Sequence, residues 1–178
     1  MSTSVWWGAL ALATFSLIGV SGCGGGGATS RARVAAYASD DFSDDYSQVW
    51  ATILKVELVD AQGNAAVLYD DPAGNLLDLA SLHDASGPRF SFLGTGSIPV
   101  GNYIKSRVTF KPTLSLLPKG ATALQSVEVH ANVSRDANGN AVVTHNLEAE
   151  RRFAEGDDDL VVDFDLAKFT LSGGKLIP

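Results

Sequence analysis

The side chains able to do chemistry are mostly carboxylates. Asp157, Asp158 and Asp159 stand in a row ahead of an apolar alternating stretch. Asp40, Asp41, Asp44 and Asp45 cluster earlier, and Asp70 and Asp71 precede Pro72. Loops rich in oxygen can hold calcium, which needs about six to eight oxygen ligands. None of these runs has the alternating ligands of a calcium loop, and Asp136-Ala137-Asn138-Gly139-Asn140 lacks a downstream bidentate Glu. Solvated acidic turns are therefore expected, with calcium at Asp157, Asp158 and Asp159 as the one cation alternative and no other cofactor. His83, His130 and His145 do not share metal-ligand spacing, and a single Cys excludes a cysteine-based zinc site, so no metal centre is expected. Strand alternation puts His145 on a more apolar face, as a structural histidine, and leaves His130 exposed.

Nucleophilic and phosphoryl chemistry find no support either. The chain has no Gly-x-Ser-x-Gly elbow, no His-Glu-x-x-His pair and no Walker loop, and Ser97 lies beside Pro99 without a base. No catalytic residue is assigned, and the chain is read as a non-enzyme. Asp163 and Asp165 share one strand face, as do Tyr103, Lys105 and Arg107. An ion pair between Arg107 and Asp163 or Asp165 on adjacent strands is expected, worth at most about 1 kcal/mol. As an acid and base for glycoside cleavage the two aspartates are ill placed, because neighbours on one flat strand make no pocket.

The lone cysteine has its own context. Residues 5–20 read VWWGALALATFSLIGV, an uncharged apolar run ending in small residues and too short to span a bilayer core. Val20-Ser21-Gly22-Cys23 resembles a bacterial lipobox, in which the leader is cut between Gly22 and Cys23 and the Cys sulfur is acylated. Two or three acyl chains anchor stably, at about 0.8 kcal/mol per buried methylene. Residues 1–22 are thus expected to be a lipoprotein signal peptide, and 23–33 a lipidated Cys followed by a flexible Gly-rich tether. Gly24, rather than Asp, after the Cys favours the outer membrane by analogy with enteric lipoproteins. The net charge of −7 excludes nucleic acid as a partner, since no basic field exists to displace counterions from phosphates.

The elements that must position these groups read as antiparallel β. Trp50, Thr52, Leu54, Val56 and Leu58 alternate with Ala51, Ile53, Lys55, Glu57 and Val59, and no helix-length stripe occurs from Arg33 onward. Asp60-Ala61-Gln62-Gly63-Asn64 and Asp136-Ala137-Asn138-Gly139-Asn140 both suit three-residue hairpin loops with Gly at positive φ. One register rule then pairs Val56 with Leu68 and Leu58 with Ala66 in the first hairpin. In the second it pairs Val133 with Val143, Val129 with Leu147 and Val127 with Ala149. Further strands are expected over Val34–Ala38, Leu76–Leu79, Phe90–Leu93, Tyr103–Phe110 and Leu160–Phe169. Leu114–Leu124, flanked by Pro112 and containing Pro118 and Gly120, reads as a loop crossing between sheets. The sum is an all-β, antiparallel two-sheet β-sandwich of about seven to nine strands over residues 34–178.

Several segments in order resemble a bacterial lipoprotein family catalogued as domain of unknown function 4382. They are Ser39-Asp40-Asp41, the stretch Val49 to Glu57, Leu77-Asp78-Leu79, Ile98-Pro99-Val100-Gly101-Asn102-Tyr103, Arg107 and Val162-Asp163-Phe164-Asp165-Leu166. The resemblance spans Val34 to Pro178 and implies a sandwich similar to transthyretin-like domains, with no catalytic residues to carry over. Pro99 and Gly101 suit a tight turn, and Tyr103 should pack its ring while its hydroxyl finds a backbone partner.

The expected role is a non-enzymatic β domain, lipid-anchored through acylated Cys23 in the bacterial envelope, that binds a partner or supports the envelope. Its partners would be membrane lipid and an envelope protein or polysaccharide. The alternative is a surface-displayed carbohydrate-binding or adhesion module, which needs aromatic side chains exposed together. Trp50, on the apolar face, counts against such a platform.

Overall fold

The structure is a computed structural model that describes residues 30–40, 45–84, 86–165, 170–172 and 175–177. The expected leader, the Gly22–Cys23 junction, Asp41 and Asp44 of the early acidic cluster and residues 166–169 of the last expected strand lie outside the described residues.

Fourteen strands form among the described residues, more than the seven to nine expected. They are β1 (Arg31–Ser39), β2 (Tyr46–Asp60), β3 (Ala65–Asp78), β4 (His83–Asp84), β5 (Gly87–Pro88), β6 (Ser91–Pro99) and β7 (Gly101–Phe110). They continue with β8 (Thr113–Pro118), β9 (Gln125–Val129), β10 (Ser134–Arg135), β11 (Ala141–Phe153), β12 (Gly156–Asp163), β13 (Thr170–Ser172) and β14 (Lys175–Ile177). One 3-10 turn, Leu79–Leu82, is the only helical element among them.

The strands form a three-stranded sheet in the order β12-β1-β6, a nine-stranded sheet and the small pair β4-β5. The large sheet runs β10-β11-β7-β2-β8-β9-β14-β13, with β3 also paired to β2. β2 is its axis: β7 pairs with its second half and β8 with its first, so Asp60 faces Tyr103 and Trp50 faces Ser115. Two pairs, β1 with β12 and β9 with β14, are parallel, where an antiparallel fold was expected. Parallel pairing needs a long connection between its strands, and over a hundred residues separate β1 from β12.

The two larger sheets share one core. Ala32, Val34, Ala36 and Ala38 of β1 are fully buried and meet Ile53, Val56, Leu58, Ile98, Leu160 and Val162 in one cluster. Small side chains on β1 and β6 allow a close approach between sheets. A Cβ placed on Gly96 would lie 2.5 Å from Leu68 Cα, and one on Gly94 2.9 Å from the Tyr69 ring. Backbone of β3 therefore crosses directly over β6.

Three expectations about pairing need correction. Leu58 does face Ala66, but Val56 faces Tyr69, because a bulge at Val56/Glu57 inserts Leu68 as an extra residue. The extra residue is only 2 % exposed, so the bulge serves to bury it against Gly96. In the second hairpin Arg135 faces Ala141 and Ser134 faces Val142, as the register rule requires, but pairing stops there. Val127 faces Leu114 and Val129 faces Leu176, not Ala149 and Leu147. The chain turns at His130–Val133, where Val133 N donates to His130 O at 3.0 Å. Finally, Leu114–Leu124 is not a crossing loop: its first half is β8, antiparallel to both β2 and β9. Pro118 stands at the end of that strand, where the missing N–H costs no interior ladder bond.

Candidate functional site

The two acidic turns are self-contained. Asp60 Oδ1 accepts from Gln62 N at 2.9 Å and Asn64 N at 2.8 Å, and Oδ2 accepts from Asn64 Nδ2 at 2.8 Å. Asp136 repeats this with Asn138 N at 2.9 Å, Asn140 N at 2.8 Å and Asn140 Nδ2 at 2.9 Å. The Asn side-chain amide is the chief cause holding each carboxyl below its ordinary range, and backbone N–H groups of the turn add to it. Their lone pairs serve the turns rather than a ligand.

Of the row at 157–159, the three carboxylates do not act alike. Asp158 Oδ1 accepts from Arg151 Nη2 at 2.8 Å, and the same nitrogen donates to the Asp159 carbonyl, so Arg151 caps the free edge of β12. Arg151 itself lies 5.0 Å from the centre of the Phe153 ring. Asp157 and Asp159 alternate with Asp158 and the buried Leu160, and so face outward. No group of three His, Cys, Asp or Glu side chains converges as a metal site among the described residues.

Arg107 does not meet its expected partners. β7 and β12 belong to different sheets, and Arg107 Nη1 lies 3.6 Å from Glu57 Oε2. Glu57 is 7 % exposed and also holds Lys55 Nζ at 2.8 Å, so two cations flank one buried carboxylate. Ser106, Val108 and Phe110 line a cleft of about 560 Å³ together with Asp163 and Asp165, which leaves Arg107 on the opposite face of β7. Asp163 Oδ1 accepts from Asp165 N at 3.3 Å. Tyr103 does not share the face of Lys105 and Arg107, because the ladder skips Ile104 between Tyr103 and Lys105. The bulge turns the ring into the core at 5.8 Å from Phe153, while its hydroxyl donates to Pro99 O at 2.9 Å.

The histidines are scattered. His145 is exposed on β11 opposite Ser106, not set in an apolar core, and His130 is half-buried with Nδ1 accepting from Asn132 N at 3.2 Å. Ser97, beside Pro99, accepts from Arg31 Nε at 2.8 Å.

A different group of side chains is gathered on the outward face of the three-stranded sheet. Even-numbered residues of β1 fill the core, so Arg33, Ala35 and Tyr37 point away from it. Register then builds rows across three strands: Ser97, Arg33 and Asp157; Thr95, Ala35 and Asp159; Phe92, Tyr37 and Val161. Tyr37 and Phe92 lie 5.5 Å apart with rings tilted by 59°. Phe92 is 54 % exposed, and Phe90 beside it 57 %. Between this aromatic pair and Arg33 is a shallow depression of about 220 Å³, lined by Ala35, Thr95 and the acidic row. The Arg33 guanidinium and the carboxylates of Asp157 and Asp159 make no hydrogen bond or ion pair among the described residues.

Sequence reading named all three aspartates, but it missed Arg33, Thr95 and Phe92. The missed signal was the continuation of β6 through Gly94 and Gly96, which carries Phe92 and Thr95 alongside β1.

No curated protein and no solved structure matches the chain. A family model described as "Domain of unknown function (DUF4382)" matches residues 31–175, which cover both larger sheets almost entirely. The chain is therefore a member of that domain family.

Proposed function

We propose that this chain is a lipid-anchored envelope protein whose two-sheet β-sandwich serves as a non-enzymatic binding module, presenting the outward face of β12-β1-β6. The observation that carries the reading is the Tyr37–Phe92 pair, its Phe ring exposed and its Tyr half-buried, beside charged groups with no internal partner among the described residues. Monomeric surfaces seldom leave neighbouring large apolar side chains in water without use. The groups whose protonation is shifted are accounted for by the fold. Asp60, Asp84 and Asp136 are held low by turn hydrogen bonds, and Tyr46, Tyr69 and Tyr103 are raised chiefly by burial. Each such shift has a structural cause.

Anchoring follows from the lipobox. Cleavage before Cys23 and acylation of its sulfur would leave a short Gly-rich tether ahead of Arg31. Export to the envelope, with the outer membrane favoured by Gly24, completes the reading. Cells fed labelled palmitate should incorporate label into the full-length protein, and Cys23→Ala should abolish both the label and membrane partitioning. Labelling that survives the substitution refutes the anchor.

A further inference from the structure

We infer that the depression on the outward face of the three-stranded sheet binds one ring of an uncharged polysaccharide. This rests on the binding-module reading above and specifies the ligand of that same face.

A sugar ring presents an apolar C–H face and a rim of hydroxyls that donate and accept. The site offers both complements side by side. Tyr37 and Phe92 supply aromatic surface at one end, with the exposed Phe ring able to lie against a C–H face. At the other end Arg33 supplies a fork of donors, and Asp157 and Asp159 supply acceptors. Adjacent hydroxyls on a ring match a carboxylate or guanidinium in bidentate fashion. Ala35 between them keeps the floor low, and Thr95 adds a hydroxyl at the side.

The polar groups are also available. Arg31 is already committed to Ser97 and Asp158 to Arg151, whereas Arg33, Asp157 and Asp159 have no such commitments among the described residues. The depression is shallow and open, which suits one ring of a chain passing across the sheet rather than an enclosed small molecule. Charge selects among polysaccharides. Two outward carboxylates face one free guanidinium on a chain of net charge −7, so uronic-acid or phosphate-bearing polymers are repelled.

The test is affinity electrophoresis of the full-length protein in detergent, through gels containing xylan, mixed-linkage β-glucan, galactomannan or polygalacturonate. Retardation is expected in at least one of the three neutral gels and not in polygalacturonate. Arg33→Ala and Asp159→Asn, which remove no internal contact, should weaken retention at least tenfold without lowering Tm, and Phe92→Ala should weaken retention as much. Val67→Ser, on the other sheet, should leave retention unchanged. Absence of retardation in every neutral gel overturns the inference, as does retention that Arg33→Ala and Phe92→Ala leave intact. A photo-crosslinking residue replacing Thr95 in living cells separates the two failures. A protein adduct there, with no glycan binding, overturns the sugar ligand and leaves the binding face standing. Failure of both assays overturns the face as well.

Discussion

In the Asp60 turn and the Asp136 turn alike, one carboxylate gathers three N–H donors and a glycine takes positive φ, 88° at Gly63 and 82° at Gly139. Even the closing bonds agree, with Asp60 N to Asn64 O and Asp136 N to Asn140 O both 3.0 Å. Yet β2 and β3 leave the first turn as a long hairpin, while β10 and β11 stay paired for two residue pairs. A turn fixes the residues that close it and nothing beyond. What extends the first hairpin is the second layer, where Leu68 of β3 rests on Gly96 of β6. No such support holds β9 beside β11, so β9 joins β8 and β14 instead.

The largest effect should come from removing that support. Gly96→Val drives a side chain into the Leu68 backbone and should cost about 3 kcal/mol in urea denaturation, at the upper end of overpacking penalties. A cost under about 0.5 kcal/mol would mean that β3 is held by β2 alone. Next come the turn glycines. Gly63→Val and Gly139→Val each force a branched residue to positive φ, at about 1–2 kcal/mol. If the first hairpin forms early, the Gly63 variant should fold more slowly, while the Gly139 variant should mainly unfold faster. Equal partition in both chevrons would mean that the two hairpins form at the same stage of folding.

The smallest effect is electrostatic and tests the sameness of the turns. Both carboxyls are held below the ordinary aspartate value of 3.8, so each stabilises the folded state above that pH. The contribution is lost as pH falls through the lowered folded-state value. Carbon-detected NMR titration should show both Asp60 and Asp136 titrating below 3.8. Asn64→Ala should raise Asp60 alone, and Asn140→Ala should raise Asp136 alone. A titration in which either aspartate keeps its ordinary value would show that its turn bonds do not persist in solution.

This contrast also explains what could be read from the chain alone. Turns were legible because Asp, Asn and Gly carry their bonding partners within five residues. The alternation of β1 was legible because one of its faces is apolar, but β2 and β7 change faces at bulges: Val49, Ala51 and Ile53 are buried ahead of Val56 and Leu58, and Trp50, expected on the apolar face, is only half-buried on the other. Partner choice for Val127 and Val129 was not legible, since Ala149 and Leu147 accept a valine as readily as Leu114 and Leu176 do. β3 was read as two pieces because Asp71-Pro72-Ala73-Gly74 has turn composition. The segment is indeed extruded, with Lys55 facing Asp70 and Ile53 facing Asn75, and the strand resumes beyond it. Arg33, Tyr37, Phe92 and Asp159 come together only through the register of three strands distant in sequence. No local pattern encodes that meeting.

The placement of β1 has a mechanical consequence. Ser30, the first described residue, has a carbonyl that accepts from Val100 N at 2.9 Å, and the chain runs from it at once into the middle strand of its sheet. Tension on the preceding segment, with the rest of the domain held, must slide β1 between β12 and β6. Both rows of backbone bonds then carry load together instead of parting one at a time from an end. A domain tied down by that strand would yield to pulling as a clamp yields to shear, and not as a zipper opens.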